Sequence, residues 1–318
     1  MSEKLVHDLK VGRRGFLAQS LFTTAGLLTA SSSFGTGLIK TARVPASVGT
    51  IKPFDLMKEI KKYRKIDAHA HVGLSADAPS VYIDLADRLG IDKLVISKPA
   101  TRGNPSPSEI RENNDYVLKA VKKFPDRFIG QMTVNVNHQK ESLEEIDRCI
   151  DQGMVGLKLY TQVKINDPLF YPVIEKFIDL RMIILMHVGI GKARVELNPG
   201  EPEGVTIPSD FVDVSRRYPE AMFQLAHLGG GIDWEDACKA VKDCKNVYVD
   251  VSGSNNAAEI INLALKYLGE DRLLFGCDGS YYQGVGHVLA AKLTEKQRKK
   301  IYFENYNDIL RKSGNHVD

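Results

Sequence analysis

The chain lacks the features that would assign it to a disulfide scaffold, a membrane span or a nucleic-acid surface. Its 318 residues hold four cysteines, Cys149, Cys238, Cys244 and Cys277. No CxxC spacing occurs among them, so buried free thiols are expected rather than a disulfide framework or a cysteine metal site. No stretch supplies the roughly 18 consecutive apolar residues that a transmembrane helix requires. Charge of one sign is not concentrated either. The formal net charge is +3, and the small basic groups at 58–65 and 296–300 read as solvated helix faces, which argues against a nucleic-acid partner. No glycine-rich phosphate loop follows the first strand, and no internal repeat exists beyond an alternation of strands and helices. What remains, 43% hydrophobic and 26% charged residues, is an ordinary globular composition.

Residues 1–46 differ from the rest. Gly12-Arg13-Arg14-Gly15-Phe16-Leu17 is a twin-arginine pair followed by Phe-Leu. A weakly apolar stretch rich in Ser, Thr, Gly and Ala runs on from Ala18 to Ile39. This resembles a bacterial twin-arginine (Tat) export signal, although Gly12 stands where that pattern has Ser or Thr. The resemblance implies the Tat translocase as a partner and an exported, periplasmic protein, cleaved after Ala46 or earlier, near Ala30. The remaining segment, 47–318, is then read as one domain.

From residue 66 onward short β-rich runs alternate with amphipathic helical patterns eight times. Strands are expected at 66–71, 93–97, 128–135, 155–160, 182–187, 222–227, 246–252 and 272–278. Helices are expected at 79–89, 108–124, 140–152, 168–180, 208–218, 232–243, 256–268 and about 294–311. Strict alternation argues for a parallel sheet with crossover helices, and the segment has the ~250-residue length of an eightfold barrel. The fold class expected is α/β, an eight-stranded parallel βα (TIM) barrel. A doubly wound open sheet is the alternative.

Active sites of such barrels are built from the C-terminal ends of the strands. The first strand ends in His69-Ala70-His71, a spacing that puts both imidazoles on one face. Taken alone, that pair fits metal ligands or two half-buried strand histidines equally well. The fourth strand carries Lys158 and Tyr160, the fifth ends in His187 and the sixth in His227. The seventh carries Asp250 and Ser252, and the eighth ends in Asp278. Alternation places them inside: Leu157 and Leu159 face the helices, as do Val247, Val249, Val251, Leu273, Phe275 and Cys277. Only His7, His138, His287 and His316 of the eight histidines fall outside the set. Packing alone does not gather such groups at corresponding strand ends.

The segments Ile66-Asp67-Ala68-His69-Ala70-His71, Gly156-Leu157-Lys158-Leu159 and Leu185-Met186-His187-Val188-Gly189 resemble the amidohydrolase superfamily. So do Ala226-His227-Leu228-Gly229-Gly230, Val247-Tyr248-Val249-Asp250-Val251-Ser252-Gly253 and Asp271-Arg272-Leu273-Leu274-Phe275-Gly276-Cys277-Asp278. Within it they match the amidohydrolase-related branch of metal-dependent TIM-barrel hydrolases, which includes decarboxylases. Gly279-Ser280-Tyr281-Tyr282 departs from the Asp-Tyr-Pro that often follows the last aspartate.

The resemblance implies one divalent metal ion, zinc expected, on His69, His71, His187 and Asp278. Asp278 doubles as proton acceptor, and His227 polarises the substrate or completes the metal shell. Lys158 is the open member. It would bind a substrate anion, pair with Asp250 or Asp67, or become carboxylated and bridge two metals. The leading expectation is hydrolysis of an ester, lactone, amide or related bond in a small-molecule substrate by metal-activated water. The alternative is a non-oxidative decarboxylase of an unsaturated or aromatic acid on the same residues. A non-catalytic binding protein on a decayed barrel ranks behind both. Oligomeric state is open, with a homo-oligomer allowed.

Overall fold

Eight short runs of mostly branched and aliphatic residues pair as parallel strands in the order in which the chain supplies them. The computed structural model describes residues 55–73, 78–100, 103–189, 204–228, 234–253 and 259–318. Its strands are β1 (Ile66–His71), β2 (Lys93–Ser97), β3 (Phe128–Gly130) and β4 (Leu157–Leu159), then β5 (Ile183–Met186), β6 (Met222–Leu225), β7 (Val247–Asp250) and β8 (Leu273–Leu274). Ladders run through β1–β2–β3 and through β4–β5–β6–β7–β8. Met132 bridges Leu157 between β3 and β4. On the other side Ala68 N donates to Phe275 O at 2.9 Å and Asp278 N to His69 O at 2.7 Å, which joins β8 to β1. The ring is therefore closed, and the fold is the eight-stranded parallel βα (TIM) barrel.

The expected alternation holds. Ile66, Ala68, Ala70, Leu157 and Leu159 join the hydrophobic layer under the helices. Gly276 lies inside the barrel, where an added Cβ would come within 3.1 Å of the β-carbons of both Asp250 and His69. The signal-like segment 1–46 and most of the long connection after β5 lie outside the described residues. The described end of that connection is tied down: Gly189 N donates to Thr206 O at 2.9 Å, and Ile165 N to Thr206 Oγ1 at 2.9 Å. Among the described residues no helix is long and apolar enough to cross a membrane.

Helices fall between strands where local chemistry starts them. They are α1 (Leu56–Lys61), α2 (Pro79–Leu89), α3 (Pro107–Lys123), α4 (Gln139–Asp151), α5 (Tyr171–Leu180), α6 (Asp210–Arg217), α7 (Trp234–Ala240) and α8 (Ile260–Leu268). Behind β8 come α9 (Tyr281–Ala290), α10 (Glu295–Lys299) and α11 (Asn305–Lys312). A capping box opens α3: the Ser106 hydroxyl accepts from Glu109 N, and the Glu109 carboxylate accepts from Ser106 N at 2.8 Å. Asp167 caps the turn leading into α5 by accepting from Leu169 N at 2.9 Å.

Three expectations change. The strands from β3 to β8 are each shorter than expected, most of all β3 against 128–135 and β8 against 272–278. The helix expected over 294–311 is broken into α10, a π-helical stretch over Lys300–Glu304, and α11. The eighth helix of the barrel is α9, in a segment where the sequence pattern predicts none. Gly284 and Gly286 depress its intrinsic helicity, yet Gly284 is required. A Cβ there would lie 2.9 Å from Cys277 Sγ, so only glycine lets α9 pack so close to the end of β8.

Candidate metal centre

β1 is buried along its whole length, and its inward side chains rise through the barrel as Asp67, His69 and His71. His69 and His71 meet edge to face, with ring centroids 5.0 Å apart. Asp278 reaches them from beyond β8: its Oδ1 lies 2.9 Å from His71 Nε2 and 3.6 Å from His69 Nε2. One ligand atom from each of these three residues falls within 4.8 Å of the others, close enough to share an ion. His69 Nε2 is buried and has no hydrogen-bond partner. A buried nitrogen left unpaired beside a carboxylate oxygen needs a third party, and this donor set of imidazole and carboxylate suits a divalent transition metal.

The backbone is bent to make this arrangement. Asp278 and His227 both occupy the left-handed region, at φ 48° and 68°. Non-glycine residues held there cost energy and persist where the surrounding structure over-determines them, often at functional sites. The Asp278 side chain also approaches His227, with Oδ2 3.4 Å from Nδ1.

His227 and His187 pair directly, His227 Nε2 to His187 Nδ1 at 2.9 Å. The two rings cross edge to face with centroids 4.8 Å apart. His187 is therefore not in the three-residue cluster; it stands one hydrogen bond behind His227. A second potential cluster consists of His69, His227 and Asp250.

Behind the histidines lies a layer of polar groups that the sequence placed inside without assigning it work. Asp250 contacts His69 Nδ1 at 3.0 Å and takes a 2.9 Å bond from Gln224 Nε2. Ser252 Oγ lies 2.5 Å from Asp250 Oδ1 and 3.1 Å from His227 Nδ1. Ser97, at the end of β2, sits 3.0 Å from His71 Nδ1. Sequence reasoning missed Ser97 and Gln224. The signal available for Ser97 was its place at a strand end, the same register that supplies the histidines.

Burial sets the charges. It lowers His71 to about 4 and His187 to about 3, and it drives His227 well below its usual value, so all three are neutral near pH 7. Burial alone would raise Asp278 and Asp250. The surrounding histidines reverse that effect and hold both carboxyls below the ordinary carboxylate range.

Lys158 is fully buried, and its Nζ has no hydrogen-bond partner. Burial lowers it to about 8, opposed by the charges of Asp278 and Asp250. Pairing with Asp250 or Asp67 is thus not what the structure shows: the Asp250 oxygens are taken as above, and Asp67 Oδ1 accepts from His69 N and Cys277 N. The Lys158 ammonium lies 5.0 Å from the centroid of the Tyr160 ring.

Asn135, beyond the end of β3, donates its side-chain amide to Asn104 and Pro105. Tyr281 is buried on α9, while Tyr282 is 65% exposed.

A closed βα barrel whose strand ends gather histidines and aspartate into a cluster that could hold an ion has the architecture of an enzyme. The Amidohydrolase family model (Amidohydro_2) matches residues 66–305, and the chain belongs to the amidohydrolase family.

A 2-amino-3-carboxymuconate-6-semialdehyde decarboxylase from Dictyostelium discoideum is 24% identical over 213 residues. That match covers 57% of this chain and 58% of the relative. Among solved structures, the 2,6-dihydroxybenzoate decarboxylase from Rhizobium superposes with a TM-score of 0.64 at 17% identity, over 79% of this chain and 100% of the other. A dihydroxybenzoic acid decarboxylase from Polaromonas, with bound manganese and the inhibitor 2-nitroresorcinol, superposes at 0.62 with 16% identity, covering 78% and 97%. These likenesses concern the fold.

Proposed function

We propose that the chain is a metal-dependent decarboxylase of a small unsaturated or aromatic carboxylic acid. The observation that carries the reading is Lys158: a buried ammonium without a partner, on the strand-end ring that bears the histidines and Asp278. A buried charge is strongly disfavoured unless paired, and a substrate carboxylate supplies the missing anion. The decarboxylase relative favours the same direction over the hydrolysis expected first from sequence.

His69, His71 and Asp278 would hold the ion, with His187 as the candidate for a fourth position. When bound, a divalent ion there supplies Lewis acidity toward a substrate oxygen. Zinc or manganese, and one ion or two, are alternatives within this proposal. An unmodified Lys158 that binds substrate goes with a single ion.

The chain's own residues do the rest. Lys158 orients the carboxylate. As the bond to that carboxylate breaks, its electron pair stays on the substrate carbon, CO₂ departs, and the carbon takes up one proton. His227 is the proton carrier of the site, because its ring faces both Asp278 and Ser252. The low-dielectric surroundings of these groups strengthen each interaction.

Metal-loaded protein should be incubated with 2,6-dihydroxybenzoate and related unsaturated acids, and separately with lactones and amides. CO₂ release from at least one acid, with no hydrolysis in the second panel, supports the proposal. Hydrolysis of a lactone or amide without CO₂ from any acid would replace it with the hydrolase reading.

A further inference from the structure

We propose that Asp250 is the positioning residue of the centre. It dictates which nitrogen of His69 carries hydrogen and, through Ser252, does the same for His227 and His187. The inference rests on the reading of the strand-end histidines as a metal centre.

The hydrogen-bond chemistry around Asp250 allows one assignment. Its two oxygens meet five groups: His69 Nδ1 at 3.0 Å, Gln224 Nε2 at 2.9 Å, Ser252 Oγ at 2.5 Å, Ser252 N at 3.1 Å and His227 N at 3.2 Å. The two backbone N–H groups can only donate. Gln224 must donate as well, because its Nε2 also faces the carbonyl of Ala68 at 3.3 Å. An aspartate saturated in this way is an acceptor throughout, so it is ionised and carries no proton of its own.

Hydrogen positions at the neighbours follow in sequence. His69 Nδ1 must hold a hydrogen to meet Oδ2, which puts the lone pair on Nε2, the buried nitrogen without a partner that faces Asp278. Ser252 spends its single hydrogen on Asp250 Oδ1, so at 3.1 Å it can only accept from His227 Nδ1–H. His227 Nε2 then bears a lone pair and accepts from His187 Nδ1–H at 2.9 Å. That leaves the second lone pair of the relay on His187 Nε2. One carboxylate thereby makes His69 a ligand in the required tautomer and presents His187 in the same tautomer. A metal-bound histidine whose other nitrogen donates to a carboxylate is a recurrent arrangement, and losing that partner costs roughly 10–100-fold in metal affinity.

Asp250→Asn separates this from a merely structural role. The carboxamide keeps shape and volume but must donate from one atom. Two backbone N–H groups crowd the Oδ1 position, so the NH₂ turns toward His69 and forces the hydrogen there from Nδ1 to Nε2. Imidazole ¹⁵N shifts of the metal-free protein read the tautomer directly, and chelator competition reads the affinity for Zn²⁺ and Mn²⁺.

The expected result has three parts. His69 is Nδ1–H in the wild type and Nε2–H in Asp250→Asn. The variant binds metal roughly 10–100-fold more weakly. Ser252→Ala leaves the His69 tautomer unchanged while releasing the His227 tautomer. An Nε2–H form of His69 in the metal-free wild type overturns the proposal, as does an Asp250→Asn protein with wild-type metal affinity. If Asp250→Asn does not fold, the wild-type spectrum and Ser252→Ala still decide. A wild type that shows the assigned tautomers yet binds no divalent ion would refute the metal reading alone.

Discussion

The backbone N–H of Asp278 donates to the carbonyl of His69 at 2.7 Å, and their side chains converge on the same point, Oδ1 3.6 Å from Nε2. One main-chain bond thus closes the barrel and sets the spacing of two proposed ligands. Because the bond is in the main chain, Asp278→Asn should keep it, and asparagine tolerates the positive φ at this position. The variant should fold with wild-type stability, bind metal more weakly and lose at least about 10²-fold in kcat, in the range of other lost groups that stabilise reaction charge. Chelation should inactivate the wild type to a similar degree, with recovery on adding a divalent ion. Full activity in folded Asp278→Asn would remove Asp278 from the mechanism.

Lys158→Met tests substrate binding separately from metal binding. An ammonium hydrogen-bonded to a carboxylate contributes about 1.5–3 kcal/mol, so KM for the carboxylic acid should rise by roughly 10–100-fold while metal affinity stays close to wild type. Thermal stability should hold or increase, because a buried unpaired charge has been replaced by a chain of similar volume. An unchanged KM would sink the assignment of Lys158 to the substrate.

How far the sequence could be read is visible in these residues. Period-two alternation put His69, His71, Lys158, Asp250 and Asp278 inside the barrel, because a parallel strand under helices exposes its two faces to different chemistry. It could not reveal that Lys158 stays unpaired while Asp250 gathers five donors, since those facts depend on distances between strands far apart in the chain. Gln224 was hidden for the same reason. Helix α9 escaped because the glycines that let it approach Cys277 also erase its helical pattern. His187 is a ligand candidate by resemblance, and its direct bond to His227 joins two strand ends whose spacing no periodicity reports.

The export signal implied by Arg13 and Arg14 has a direct assay. Replacing both with lysine in the full chain should leave the protein folded, active and in the cytoplasm, while the unaltered chain is recovered from the periplasm. Equal periplasmic recovery of both would refute a twin-arginine route.

Lys65 gives a pH dependence away from the centre. Its buried Nζ donates to Ile60 O at 2.5 Å, Tyr63 O at 2.8 Å and Gly90 O at 3.3 Å, tying the entry to β1 to the ends of α1 and α2. Burial lowers it from 10.5 to about 8. Between those values the unfolded chain binds the proton and the folded chain does not, so this group makes stability rise with pH from about 8 to 10.5, by up to about 3 kcal/mol. Below 8 the full penalty of burying the charge is present. Lys65→Met should lack that slope. At pH 10, where the wild type no longer carries the penalty of the buried charge, it should be less stable than wild type by about 1–3 kcal/mol, because buried carbonyls lose their donor. Urea melts of both proteins at pH 7, 8, 9 and 10 make the comparison, and identical slopes would show that Lys65 titrates normally.

The two glycines of α9 should respond in opposite directions to one substitution. Helix propensity favours alanine over glycine by about 1 kcal/mol at either position. At Gly286 an added Cβ meets nothing within 4 Å, so Gly286→Ala should stabilise by about that amount. At Gly284 the same atom would lie 2.9 Å from Cys277 Sγ and 3.1 Å from Gly276 O. Overpacking there costs about 1–3 kcal/mol, enough to outweigh propensity, so Gly284→Ala should destabilise or at best break even. The displaced neighbour is Cys277, next to Asp278, so Gly284→Ala should also weaken metal binding while Gly286→Ala leaves it unchanged. Thermal melts and metal titrations of the two variants check both halves. A Gly284→Ala protein that melts higher than wild type would show that α9 does not pack on the end of β8 as closely as these distances require.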